Sequence, residues 1–100
     1  MVRKTTVLKE NEIEAYFLWQ VALMKGRTFK FKTTTQRGVA DRIACLPNGE
    51  TWFVELKRPK GGVLAPMQEL FAESMVALKQ RYALLNTVDA INEWSARIKL

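Results

Sequence analysis

Hydrophobic positions along the chain change period several times, and each change marks an element. Ile13, Phe17, Val21 and Met24 recur at helical spacing, with Leu18 and Trp19 widening the stripe, which predicts a helix from Glu10 to about Lys25. Asn11 followed three residues later by Glu14 fits a capping box, and Gly26 fits a stop. Thr28–Thr33 then alternates, with Phe29 and Phe31 on one face and Lys30 and Lys32 on the other, as in a strand. A polar loop over 33–38 leads to a second strand, Val39–Leu46. Pro47-Asn48-Gly49-Glu50 is a hairpin turn, because Asn-Gly tolerates the positive φ that such turns need. Thr51–Lys57 is the third strand.

Pro59 and Gly61-Gly62 make Arg58–Ala65 a loop, and Pro66 opens the next helix. That helix carries Leu70, Phe71, Met75, Leu78 and Met67 as an apolar stripe through about Gln80. Arg81–Asn86 reads as a short strand. Thr87 caps a last helix from Val88 that turns Ile91, Trp94 and Ile98 inward. The order is α-β-β-β-α-β-α, an α/β chain with a mixed central sheet, helices on its faces and the middle strands innermost. Residues 1–9 read as a loose arm able to add a short edge segment.

At 100 residues and 48% hydrophobic, the chain is long enough for one domain with its own core, spanning 1–100. Cys45 is the lone cysteine, so no internal disulfide forms, which fits a reducing compartment. The absence of histidine excludes histidine-based catalysis and makes a structural zinc site a poor fit. No secretory leader and no run of about 20 apolar residues is visible, so the expected setting is the cytoplasm, without membrane contact. A net charge of +6 favours polyanionic partners, although solubility alone accounts for such a balance in many proteins.

The chemistry concentrates in Gly38–Lys57. Residues two apart in a strand share a face, so Glu55 and Lys57 point one way and Trp52, Val54 and Leu56 the other, into the core. Pairing through the Asn48-Gly49 turn brings Asp41 to the same end of the sheet as Glu55 and Lys57. Two carboxylates there suit Mg²⁺ or Mn²⁺, and a lysine beside them suits a phosphate or a reacting water. An E-x-K pair is also common as a solvated ion pair on a strand, so by itself the pattern is weak.

The combination of GVADRI, the Asn-Gly hairpin, VELK and the downstream Gln68 resembles the VRR-NUC domains of the PD-(D/E)xK nuclease superfamily, in their stand-alone phage and bacterial form. The resemblance runs from Glu10 to about Ala90 and implies a restriction-endonuclease-like core. It implies that Asp41 and Glu55 are metal ligands, that the carbonyl of Leu56 completes the shell, and that Lys57 positions or activates the attacking water. It further implies that Gln68 supports the site and that a first-helix glutamate joins it. Glu14 is the assignment for that acid and Glu10, one turn earlier, its rival; Glu14 also has the capping-box reading, and Gln68 a solvated one.

Arg37, Arg42, Arg58 and Lys60 flank the expected site as backbone-phosphate contacts, and Lys30 and Lys32 either extend that track or form the wet side of a strand. The resemblance implies an Mg²⁺- or Mn²⁺-dependent endonuclease, phage-encoded or bacterial, acting as a homodimer on branched DNA such as a four-way junction, with no small-molecule cofactor. The rival expectation is a non-catalytic DNA-binding or assembly subunit on the same fold. The aromatic run Tyr16–Trp19 reads as core, with a dimer contact as its other use.

Overall fold

The computed structural model describes residues 8–100. The arm expected over residues 1–9 therefore lies, through residue 7, outside the described residues. The elements are α1 (Glu10–Leu23), β1 (Arg27–Lys30), β2 (Arg42–Cys45), β3 (Thr51–Leu56), α2 (Pro66–Ala77), β4 (Arg81–Leu85) and α3 (Val88–Arg97). The strands lie in the order β1-β2-β3-β4, antiparallel except for the parallel β3–β4 pair. This is the expected mixed sheet with β2 and β3 central.

The register sorts every side chain to a face. Thr28, Ala44, Trp52 and Arg81 lie in one row, and Lys30, Arg42, Val54 and Ala83 in the next. This face carries α1 and α3. Ile13, Phe17 and Val21 of α1 and Ile91 and Trp94 of α3 close over Ala44, Val54, Leu56 and Leu85 to form the core. Phe17 and Trp52 both meet the Trp94 ring, at 5.4 and 5.7 Å between centroids. Each such side chain contributes ~1.5–3 kcal/mol by leaving water. The other face carries Phe29, Ile43, Phe53, Glu55 and Tyr82, and α2 lies against it through Phe71.

That second face is covered less fully than the periodicity implies. In α2 no residue is fully buried, and Leu70, Met67 and Leu78 are exposed. Only Phe71 and Met75 of the expected stripe turn inward. One helix cannot span a four-stranded face, so part of its own apolar surface stays open.

The elements are shorter than expected at several ends. β1 stops at Lys30, β2 begins only at Arg42, β3 ends at Leu56, β4 at Leu85, and α2 at Ala77. The cap of α1 is also different. Lys9 precedes the helix, and its N–H donates to Glu12 Oε1 at 2.7 Å, so the reciprocal half of a capping box falls two residues before Glu14 and does not involve Asn11. Lys25, with φ 67°, takes the left-handed position expected of Gly26. Thr87 caps α3 as expected, its hydroxyl accepting from Ala90 N at 2.9 Å. No described helix is long and apolar enough to cross a membrane.

All three helices begin at the end of the sheet where β3 and β4 finish. Gln68, in the first turn of α2, bonds to Glu55, and α3 starts three residues beyond Leu85, the partner of Leu56. At the opposite end, the chain beyond α3 meets the hairpin turn, where Asn48 Nδ2 donates to the carbonyl of Lys99.

Candidate active site

Asp41 sits one residue before β2, at the bend that delivers the chain into the sheet. Its Oδ2 accepts from Leu56 N at 2.9 Å. The hairpin register that pairs Arg42 with Val54 prepares this contact, because it sets the residue before β2 against the end of β3. Glu55 is 1% exposed, yet it is a carboxylate. Gln68 Nε2 donates to Glu55 Oε2 at 2.9 Å, and Lys57 Nζ lies 3.8 Å from the same oxygen. Gln68 is itself fixed, because its Oε1 accepts from Ala65 N at 2.9 Å. Asp41, Glu55, Leu56, Lys57 and Gln68 thus meet at one end of the sheet.

The loop before Asp41 is pinned to α2. Gly38 has φ 81°, and a Cβ there would come within 2.4 Å of the Met67 carbonyl oxygen. Only glycine allows that approach, and Met67 adjoins Gln68. One contact therefore sets the relative position of the two chain segments that supply the acid and the amide.

The electrostatics are unfavourable as they stand. Burial, then the neighbouring Asp41 charge and its hydrogen bond, and lastly Glu10, push the Glu55 carboxyl up to about 8, while Lys57 pulls it down. Two carboxylates this close, one of them out of water, are only partly offset by the single Lys57 ammonium. A hard divalent cation fits that deficit, since Mg²⁺ takes one or two carboxylates and keeps its remaining positions for water and phosphate. Among the described residues no three acidic, histidine or cysteine side chains cluster as a ready-made cage. Asp41 and Glu55 are the two carboxylates that could share such a cation.

Glu10, Asn11 and Glu14 of α1 face Asp41 across a cleft of about 440 Å³, which also reaches Lys30 and Lys32. Glu14 is not free in it, because Arg42 Nε holds its Oε2 at 3.0 Å. Glu14 does not cap α1 as expected, since Lys9 and Glu12 form that cap. Arg42, with a side chain 13% exposed on the α1 face, is instead paired with Glu14. Arg37 borders a separate groove with Met67, Leu70 and Phe71 of α2 and does not line the cleft. Arg58 and Lys60 line a second cleft with Lys9 and Glu10.

Sequence reasoning missed Tyr82. It lies beside Phe53 in the parallel register and so shares the face of Glu55. Its hydroxyl is buried with no hydrogen-bond partner, one of two such side-chain atoms among the described residues, and burial together with the Glu55 and Asp41 charges pushes it up to about 12. The alternation of RYALL carries the signal, but only once β4 is known to run parallel to β3.

No protein-family model matches the chain. A curated protein does: the chain is 34% identical over 83 residues, 83% of its own length and 88% of that protein's, to "Putative nuclease p44" of Acyrthosiphon pisum secondary endosymbiont phage 1. A solved structure described as a VRR_NUC domain superposes with a TM-score of 0.84, covering 90% of this chain and 97% of its own, at 19% identity. The chain belongs to the family of that phage protein and has the VRR_NUC fold. The VRR_NUC fold and this kinship together support a nuclease-like function.

Proposed function

We propose that this VRR-NUC domain is an endodeoxyribonuclease that hydrolyses phosphodiester bonds with Mg²⁺ or Mn²⁺. The observation that carries the reading is Glu55, a buried carboxylate beside Asp41, with Gln68 and Lys57 both on its Oε2. A structural role alone gives no reason to bury a like-charged pair.

Asp41, Glu55 and the Leu56 carbonyl would hold the metal, which when bound polarises the phosphoryl oxygen and lowers the pKa of water. Leu56 N–H fixes one Asp41 oxygen, leaving the other to turn toward the cleft. Gln68, donating to Glu55 Oε2 at 2.9 Å, would orient the Glu55 carboxylate. Lys57, with its ammonium 3.8 Å from Glu55, would hold the attacking water and offset charge gathering on the phosphoryl oxygens. Of the two first-helix acids, Glu10 is the one we assign to the site, since it adds to the Glu55 shift whereas Glu14 is tied to Arg42.

The substrate we propose is branched DNA, cut by a two-fold dimer with one site per strand. The compact chain supports recognition of DNA shape, and the apolar surface left open on α2 supports self-association. Kinship with a phage protein supports a phage-type, cytoplasmic setting. The test is a panel of linear, flapped, single-stranded and four-way-junction DNA incubated with Mn²⁺. Cutting should favour branched forms and vanish in Asp41→Ala, Glu55→Ala and Lys57→Ala, with folding and DNA binding retained. If the wild type cuts no form with either metal, the enzyme reading fails.

A further inference from the structure

Two clefts meet at Glu10. The 440 Å³ cleft holds Asp41, Glu10 and Glu14, with Lys30 and Lys32. The second, of about 520 Å³, is lined by Leu8, Lys9, Glu10, Arg58 and Lys60, and Glu10 is the residue common to both. Sheet order fixes how they are arranged. Lys30 ends β1, Asp41 enters β2, and Arg58 leaves β3, so Asp41 lies between the two cationic groups. β1 and β3 are about two strand spacings apart, ~10 Å.

The cations on the two banks differ from those at the centre. Lys57 and Arg42 are committed to Glu55 and Glu14, whereas Lys9, Lys30, Lys32, Arg58 and Lys60 are exposed and enter no ion pair among the described residues. Arg58 is also positioned. The loop folds back over it, so that a Cβ at Gly61, with φ 75°, would lie 3.4 Å from its Nη2, and one at Gly62 would lie 2.5 Å from its carbonyl oxygen. A solvated loop has no need to wrap one of its own arginines.

We propose that the two clefts form one channel for the sugar–phosphate backbone of a single DNA strand, with the scissile phosphate at the Asp41–Glu10 waist. Lys30 and Lys32 hold phosphates on one side of the cut, and Lys9, Arg58 and Lys60 hold those on the other. Lys9 thereby gains a role that its place before α1 does not suggest. The proposal rests on the nuclease reading for the position of the cut, but not for the binding itself.

The experiment compares Lys30→Gln/Lys32→Gln, Lys9→Gln/Arg58→Gln/Lys60→Gln and a control, Lys25→Gln/Lys79→Gln/Arg97→Gln, whose exposed cations lie at the opposite end of the molecule. Binding of a fluorescent single-stranded oligonucleotide is measured without divalent metal across a salt series. Removing phosphate contacts should lower the salt slope by ~0.7 for each, so the triple variant should lose about 2 units and the double about 1.4, with ~10-fold weaker binding in each and little change in the control. Where the wild type cuts, substrates shortened on one side of the cut should abolish the penalty of one variant and leave that of the other. The proposal is overturned if the control costs as much as the triple variant, or if shortening one side abolishes both penalties. A wild type that binds with the expected slopes but cuts nothing leaves the channel standing and removes the nuclease.

Discussion

Gln68 touches Glu55 through its amide nitrogen and the backbone of Ala65 through its amide oxygen, both at 2.9 Å. The residue therefore spans the start of α2 and the buried carboxylate at the end of β3. Its orientation is fixed without any help from solvent, because the N–H it accepts from makes a flipped amide unfavourable.

Gln68→Ala should lower the cleavage rate ~10–100-fold, as loss of an outer partner of a metal ligand commonly does. The same change should cost ~1–2 kcal/mol of stability by leaving a buried carboxylate short of a donor. Single-turnover kinetics with urea unfolding on the same variant separate the two effects. A variant with full rate would remove Gln68 from the machinery.

Glu55 gives a pH signature. Its folded carboxyl is raised from 4.5 to about 8, so between those values the folded state binds more protons than the unfolded chain. Its contribution is complete below about 4.5 and is lost as pH rises through about 8. Metal-free wild type should therefore lose stability relative to Glu55→Gln by a few kcal/mol between pH 5 and pH 9, at up to ~1.4 kcal/mol for each pH unit crossed between those two values. Urea midpoints across that range check it. Mn²⁺ should bind more tightly as pH rises and release a proton near pH 7, which calorimetry in two buffers detects.

Gly38→Ala tests the pin between the Asp41 loop and α2. Its Cβ would collide with the Met67 backbone at 2.4 Å, whereas one at Gly49, also at positive φ, would meet nothing within 4 Å. Gly38→Ala should cost ~2–4 kcal/mol and impair cleavage, and Gly49→Ala only ~1–2 kcal/mol with cleavage retained. Thermal melts and rates for both variants give the contrast.

The Arg42–Glu14 pair joins α1 to β2 in a partly buried setting. A double-mutant cycle with Arg42→Met and Glu14→Gln should give a coupling of ~1–2 kcal/mol in unfolding. Both single variants should bind DNA like the wild type, because neither side chain is offered to phosphate. A large loss of binding in Arg42→Met would return that arginine to the DNA interface.

What was legible in the sequence follows from what local geometry fixes. An Asn-Gly turn and strand alternation suffice to bring Asp41 to the end of β3 that carries Glu55, since a two-residue period leaves one consistent register. Periodicity could not say whether the α2 stripe would be covered, because it marks a face and not what packs on it; Leu70 and Leu78 therefore emerged exposed. The fates of Arg42 and Glu14 depend on how closely α1 crosses β2, which no spacing encodes. Tyr82 joined the Glu55 face only because β4 runs parallel to β3, a property of the whole sheet.

The shared direction of α1, α2 and α3 has an electrical consequence. Each helix carries roughly half a positive charge at its N-terminus and half a negative one at its C-terminus. Three of them starting at the same rim make the domain a permanent dipole whose positive pole surrounds the cleft. An approaching polyanion feels a torque as well as an attraction, so the molecule would turn its cleft toward DNA before first contact, and less so as added salt shortens the reach of that field.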